Sequence, residues 1–123
     1  METINKIKIT SSSFHAVLEV IVFKETDNIF VGYAPAIDVS SYGDSEQQAL
    51  EAVKEAIDIY FDYTRKKGTL ERDLLRMGWH KATVRSKHLV APDMEDIKKD
   101  NPLLMNIMNS PGNFRRSTVS IPA

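Results

Sequence analysis

Tyr42-Gly43-Asp44-Ser45-Glu46-Gln47-Gln48-Ala49-Leu50-Glu51-Ala52-Val53-Lys54-Glu55-Ala56-Ile57 is the stretch that decides the fold. Gly43 ends an extended segment. Asp44-Ser45-Glu46-Gln47 then reads as a helix start, in which a short side-chain oxygen accepts from the orphan N–H groups of the first turn and Gln47 reaches back to the cap. Ala49, Leu50, Val53, Ala56, Ile57, Tyr60 and Phe61 recur at three-and-four spacing, which places them on one face of a helix of roughly six turns. Glu51, Lys54, Glu55, Asp58 and Asp62 fall on the opposite face. Arg65-Lys66-Lys67 complements the negative C-terminal end of the helix, and Gly68 can take the left-handed conformation that stops it.

Working outward toward the N-terminus, Ala16 to Phe23 is rich in β-branched and aromatic types and reads as a largely buried strand. The turn formers of Lys24 to Asn28 and the renewed β pattern of Ile29 to Ala34 make a hairpin, closed by Pro35, which has no N–H to give a ladder. Ile37 to Tyr42 reads as a third, more exposed strand. Toward the C-terminus, Thr69 is positioned to cap a short helix, Leu70 to Met77, ended by Gly78, after which Trp79 packs back onto the core. Ala82 to Arg85 suggests a short strand, Asn101-Pro102 fits a cap followed by proline at the first helical position, and Phe114 to Ile121 reads as a final strand. The expected class is therefore α+β. A small antiparallel sheet, a three-stranded meander plus a further strand, packs against one long helix, with a short second helix and a loop-rich C-terminal extension. One domain over residues 1–123 is expected, with a core of about 16–68 and an extension of about 69–123.

Hydrophobic residues make up 42% of the chain and charged residues 27%, a globular balance far from that of disordered chains. With 16 basic against 17 acidic residues the net charge is -1, so no bulk field draws the protein onto nucleic acid or an anionic membrane. The absence of cysteine excludes disulfides, thiolate metal sites and cysteine nucleophiles. No apolar run approaches the roughly 18 residues that span a bilayer, so no membrane partner is expected and the cytosol is the expected location.

Candidate chemistry is sparse. Glu19, Asp38 and Asp62 are the acids to consider for a metal-dependent phosphoryl site, and a solvent-facing strand position is the commoner explanation of Glu19. His15, His80 and His88 lack the close spacing that sets two ligands on one helical face. Gly32, Gly43, Gly68, Gly78 and Gly112 fall at strand, cap or turn positions and form no phosphate loop. No catalytic, cofactor-binding or metal-ligating residue is expected, and the chain is not expected to be an enzyme. Arg115 and Arg116 beside Phe114 read either as contacts to phosphates or an acidic partner or as charges that guard a sheet edge. Leu104, Met105, Ile107 and Met108 read equally as an adaptable partner surface and as a cover for one side of the sheet.

Tyr33-Ala34-Pro35, the turn Tyr42-Gly43-Asp44-Ser45, Ala49-Leu50 and Val53-Lys54-Glu55-Ala56-Ile57 together resemble the HicB family of bacterial antitoxin-type proteins. The likeness runs from about Val17 to Tyr63 and lies in structural residues. It implies a partial ribonuclease-H-like fold: a three-stranded antiparallel sheet, a helix and a further strand. It further implies a protein of a toxin-antitoxin system that binds and neutralises a small basic HicA-like RNase toxin and forms a homo-oligomer such as a dimer. The alternative within the family is an orphan dimeric regulator that binds nucleic acid through a local basic edge. The sequence departs from the family at Pro35 to Ser40, where a Pro-x-x-Pro-Gly-Cys element is usual, and its tail shows no ribbon-helix-helix or helix-turn-helix pattern.

Overall fold

The computed structural model describes residues 5–9, 14–83, 88–109 and 114–122. Its organising element is a long strand, β2 (Phe14–Thr26), which alternates between two faces of a seven-stranded sheet. Phe14, Ala16, Leu18, Val20 and Val22 point into the main core, while Ile21 and Phe23 point into a second, smaller cluster on the other face. One edge of β2 pairs antiparallel with β7 (Phe114–Pro122) from His15 to Phe23.

The other edge of β2 is shared. Phe14 to Val17 pair with β1 (Lys6–Ile9), and Ile21 to Thr26 pair with β3 (Ile29–Ala34), so the sheet forks between them. Beyond β3 lies β4 (Val39–Gly43), and beyond β1 lie β6 (His88–Val90) and β5 (His80–Lys81), all antiparallel. At the fork the Glu19 N–H has no strand carbonyl to meet. The Asn5 side chain takes its place, accepting that N–H at 2.9 Å, while the Asn5 carbonyl accepts from Ala91 N–H at 3.1 Å. Asn5 does this from the left-handed region (φ 59), which asparagine tolerates better than most residues.

Helix α1 (Glu46–Lys67) closes the main core with Ala49, Val53, Ile57 and Phe61. Ser45 Oγ accepts from Gln48 N–H at 3.1 Å, and the side chain that reaches back is Gln48, on Asp44 N–H at 3.0 Å; Gln47 instead donates along the helix to Glu51. The helix sits chiefly over β3 and β4, where Gly32 has no Cβ to hold it off. At its far end Phe61 meets Phe14 edge-on at 4.9 Å, Arg65 stacks over the same ring, and Gly68 (φ 71) stops the helix as its pattern required. Helix α2 (Leu70–Arg76) follows, though Thr69 makes no side-chain capping bond. Trp79 is 2% exposed, packs in the main core and donates its indole N–H to Ala36 O at 2.8 Å.

The α+β class, the single long helix and the early hairpin agree with the sequence reading, and several details do not. Among the described residues the sheet has seven strands, not the four of a meander plus one. The third strand of the meander starts at Val39 because Pro35 to Asp38 form a turn. Within Ala82 to Arg85, residues 82 and 83 are a bend and 84 and 85 lie outside the described residues; β5 and β6 form on either side. The C-terminal part is not loop-rich: helices α3 (Met94–Lys99) and α4 (Pro102–Met108) precede β7. Asn101 caps α4 by accepting from Leu104 N–H at 3.1 Å, with Pro102 at the first position as the sequence suggested. Leu104 is fully buried against Ile21 and Tyr33, and Ile107 and Met108 pack beside it, so these residues cover the second face; Leu103 and Met105 remain exposed.

Candidate functional site

Where α4 meets β3 the hydrogen bonds converge on one phenol. Tyr33 Oη donates to Asp38 Oδ1 at 2.7 Å and accepts from Asn101 Nδ2 at 2.8 Å. Asp38 holds this position from the left-handed region (φ 55), at the end of the turn that Pro35 begins. Burial, and secondarily the bond and negative charge of Asp38, push the Tyr33 phenol up to about 12. The phenol ties β3, the following turn and α4 together.

Two clefts open on either side of this tie. One, of about 480 Å³, runs toward α2 and α3 between Pro35, Arg76, Pro92, Asp96 and Ile97. The other, of about 400 Å³, runs across the sheet over Phe23, Val31 and Ser40 to Leu103. Tyr33, Asp38, Asp100 and Asn101 line both. The second cleft continues along a transverse row of the sheet, in which Tyr42 lies opposite Val31, Val31 opposite Phe23, and Phe23 opposite Phe114. Tyr42 is 73% exposed and Leu103 61%, so an apolar floor reaches solvent at both. Asp38, Asp96 and Asp100 set a negative rim, with Asp96 engaged by Lys99 at 3.5 Å and Arg76 turned to Asp73 at 3.3 Å. An apolar floor under a charged rim suits the docking of a partner of opposite charge.

The acids considered from sequence are scattered by the fold. Asp38 serves Tyr33, and Asp62 lies on the exposed side of α1 with Lys66 at 3.1 Å. Glu19 corrects its sequence reading: it is 8% exposed, on the face of β2 away from α1, with Arg116 Nε 3.5 Å from its Oε1. That oxygen makes no hydrogen bond. Among the described residues, no group of three or more histidines or acids is placed to hold a metal ion.

The histidines are dispersed too. His15 meets Ser120 Oγ at 3.0 Å, His80 is exposed on β5, and His88 on β6 is held below its ordinary range by desolvation first and by Lys6 and Lys8 second. Gly112 lies outside the described residues. Arg115 reaches Glu46 at 2.8 Å and Arg116 reaches Glu19, so each arginine of β7 is turned onto a carboxylate of its own molecule. Sequence reasoning missed Tyr33, Asp96, Asp100 and Asn101 as a group. Tyr33-Ala34-Pro35 carried only the end of a strand, and Asn101-Pro102 only a cap.

The fold and these clefts define an α+β protein with two clefts that share Tyr33, Asp38, Asp100 and Asn101. Among the described residues, no helix is long and apolar enough to cross a membrane. No family model matches the chain, and no curated protein or solved structure matches it.

Proposed function

We propose that this chain is a non-catalytic, HicB-like interaction protein of the antitoxin type, which acts in the cytosol by binding and neutralising a small basic RNase toxin. The observation that carries this reading is the acid-rimmed cleft around Tyr33, with Val31 and Phe23 as floor and Asp38 and Asp100 at the rim. Tyr33, Asp38 and Asn101 fix its shape, and the exposed Asp100 offers a carboxylate to a cationic surface. We assign β2, β3, β4 and α1 to the partial ribonuclease-H-like unit of that family, on the resemblance of Val17 to Tyr63 and on the packing of Gly32 beneath Ala49 and Val53. The alternative, a regulator that binds nucleic acid through Arg115 and Arg116, has less support, because both side chains are engaged by Glu46 and Glu19.

The test is recovery of tagged protein from its native cell extract, followed by growth assays with any stoichiometric basic partner. The expected result is a small basic protein whose toxicity this chain suppresses. Asp100→Lys and Leu103→Asp, both at exposed positions, should weaken its capture by roughly tenfold or more, since like charges and a buried carboxylate are each strongly unfavourable at an interface. Salt-sensitive binding to duplex DNA by the pure protein, with no protein partner recovered, would overturn the reading.

A further inference from the structure

Leu104 of α4 and Met94 of α3 pack over Ile21 and Tyr33, at one end of the second face of the sheet. At the other end Ile7, Ala16 and Leu89 turn into the main core, so alternation turns Lys6, Lys8, His15, Val17, His88 and Val90 to the second face. His80 joins them opposite Val90, and Ser120 opposite Val17. Lys8, His15, His80 and Ser120 are exposed, and Lys6 and His88 are half-buried. Val17 and Val90 are half-buried too, and pack with neither apolar cluster.

The register sets these side chains in two transverse rows. One runs His80, Val90, Lys6, Val17, Ser120, and the other His88, Lys8, His15. Neighbours within a row stand about 4.5–5.5 Å apart at Cβ, and the rows about 7 Å apart. Lys8 therefore has an imidazole on either side, and Lys6 has the same two on its diagonals. The side chains meet as the register requires: His15 reaches Ser120 Oγ at 3.0 Å, and Lys6 and Lys8, after desolvation, hold His88 below its ordinary range. Like charges set opposite one another destabilise a sheet. On the same face Arg116 is balanced by Glu19, and across the sheet Arg115 is balanced by Glu46. Neither row contains an acid, and among the described residues no carboxylate stands within ion-pair distance of Lys6 or Lys8.

We infer that these two rows are a docking surface for an extended acidic segment of a partner protein, whose carboxylates meet Lys6 and Lys8 and whose apolar side chains rest on Val17 and Val90. The two ammonium groups lie at the centre of the strip, flanked by imidazoles in one row and by valines in the other. From His80 on β5 to Ser120 on β7 is four inter-strand steps, about 19 Å, which is the length of roughly six extended residues. A strip this narrow is too small for the roughly 800 Å² that each partner gives to an interface between globular domains, so a single segment is the occupant that fits. A nucleic-acid strand fits less well. Neither row holds a phenylalanine, tyrosine or tryptophan to stack a base, or an arginine to fork a phosphate. A phosphodiester has nothing to set on the valines, and a net charge of -1 gives no long-range attraction.

This surface is separate from the acid-rimmed cleft and does not rest on the toxin proposed above, which is a basic partner. The probe is a fluorescein-labelled hexapeptide of alternating glutamate and valine, titrated into the pure protein at low salt and followed by anisotropy. The parent should bind it, and Lys6→Gln combined with Lys8→Gln should weaken binding by roughly tenfold, as expected for two exposed ion pairs. Lys54→Gln combined with Lys66→Gln removes the same charge from the exposed side of α1 and should change binding by less than about twofold. Unchanged Trp79 fluorescence checks that each variant is folded. NMR on the parent gives a reading that needs no variant: bound carboxylates offset Lys6 and Lys8, so the His88 titration midpoint should rise when the peptide is added. No binding up to about 1 mM peptide, equal weakening in the two double variants, a His88 midpoint that stays put while peptide binds, or tighter binding of an oligothymidylate of equal charge would overturn the inference.

Discussion

Gly32→Ala tests how closely α1 is seated on the sheet. A Cβ at Gly32 would lie 2.7 Å from the carbonyl oxygen of Ala49 and 2.8 and 2.9 Å from Cγ1 and Cβ of Val53. Unstrained carbon contacts begin near 3.5 Å, so the helix would have to lift by about 0.7 Å at this point. The carbonyl belongs to the helix backbone and cannot rotate aside, and Val53 is fully buried, so side-chain repacking offers little relief. Overpacking of this kind costs about 1–3 kcal/mol, and the smaller entropy of an alanine-containing unfolded chain offsets about 0.5 kcal/mol. The upper part of that range applies here, for a net loss of about 2 kcal/mol. Urea unfolding followed by the fluorescence of Trp79, the single tryptophan, measures it directly. The midpoint should fall by about 1 M with an unchanged slope. Gly68→Ala is the companion variant: nothing lies within 4 Å of its Cβ, and only the left-handed φ of 71 opposes it, for a loss of about 1 kcal/mol. A Gly32→Ala midpoint within about 0.3 M of the parent would refute the close seating of α1.

Other perturbations read other parts of the molecule. Asn5→Ala leaves the Glu19 N–H without its acceptor, so stability should drop by about 1–3 kcal/mol and the Glu19 amide should exchange faster, as hydrogen exchange by NMR would show. Tyr33→Phe removes the hydroxyl that joins Asp38 to Asn101, at about 1–2 kcal/mol in neutral solution. In the parent, the Tyr33 phenol is raised from 10.0 to about 12, so its contribution is complete below pH 10 and is lost as pH rises through 12. That loss amounts to at most about 2 kcal/mol after screening by solvent in the clefts, and unfolding curves between pH 9 and 12 should fall more steeply for the parent than for Tyr33→Phe. His88 is held low, so its contribution is complete above the ordinary value of 6.5 and is lost as pH falls through its folded value; an NMR titration midpoint at or above 6.5 would contradict this. Leu104→Ala should cost about 2–4 kcal/mol, seen as a lower urea midpoint.

What was legible in the sequence was what local chemistry determines. Helix α1 carries its own periodicity, its Ser45 cap and its Gly68 stop within one segment, and all three appear in the structure. β2 and β3 have runs of β-branched residues long enough to show. β1, β5 and β6 have four, two and three residues, and each is a strand only because another strand meets it. Lys6-Ile7-Lys8-Ile9 alternates, but nothing in those residues announces Leu89 as the neighbour of Ile7. Glu19 illustrates the same limit. Alternation sets it on the face away from α1, and its neighbours there, Asn5 on its backbone N–H and Arg116 beside its carboxylate, are both remote in sequence.

The clefts were illegible for a related reason that also explains their shape. Helices α3 and α4 have six and seven residues, well short of the length at which an isolated helix persists in water. Their existence therefore depends on the surface they cover, and their placement depends on a few fixed points. Asn101 supplies one of these by using both ends of its amide: the oxygen caps Leu104 N–H, and the nitrogen reaches Tyr33, 68 residues earlier in the chain. Leu104, three residues on, drives the same helix into the pocket over Ile21 and Tyr33. A polar tie and an apolar anchor one turn apart fix both the position and the rotation of so short a helix, and with it the placement of Asp100 and Leu103 at the rim. The shape of the clefts is thus a product of where α4 lands, and no residue that lines them needed a distinctive local pattern to be there.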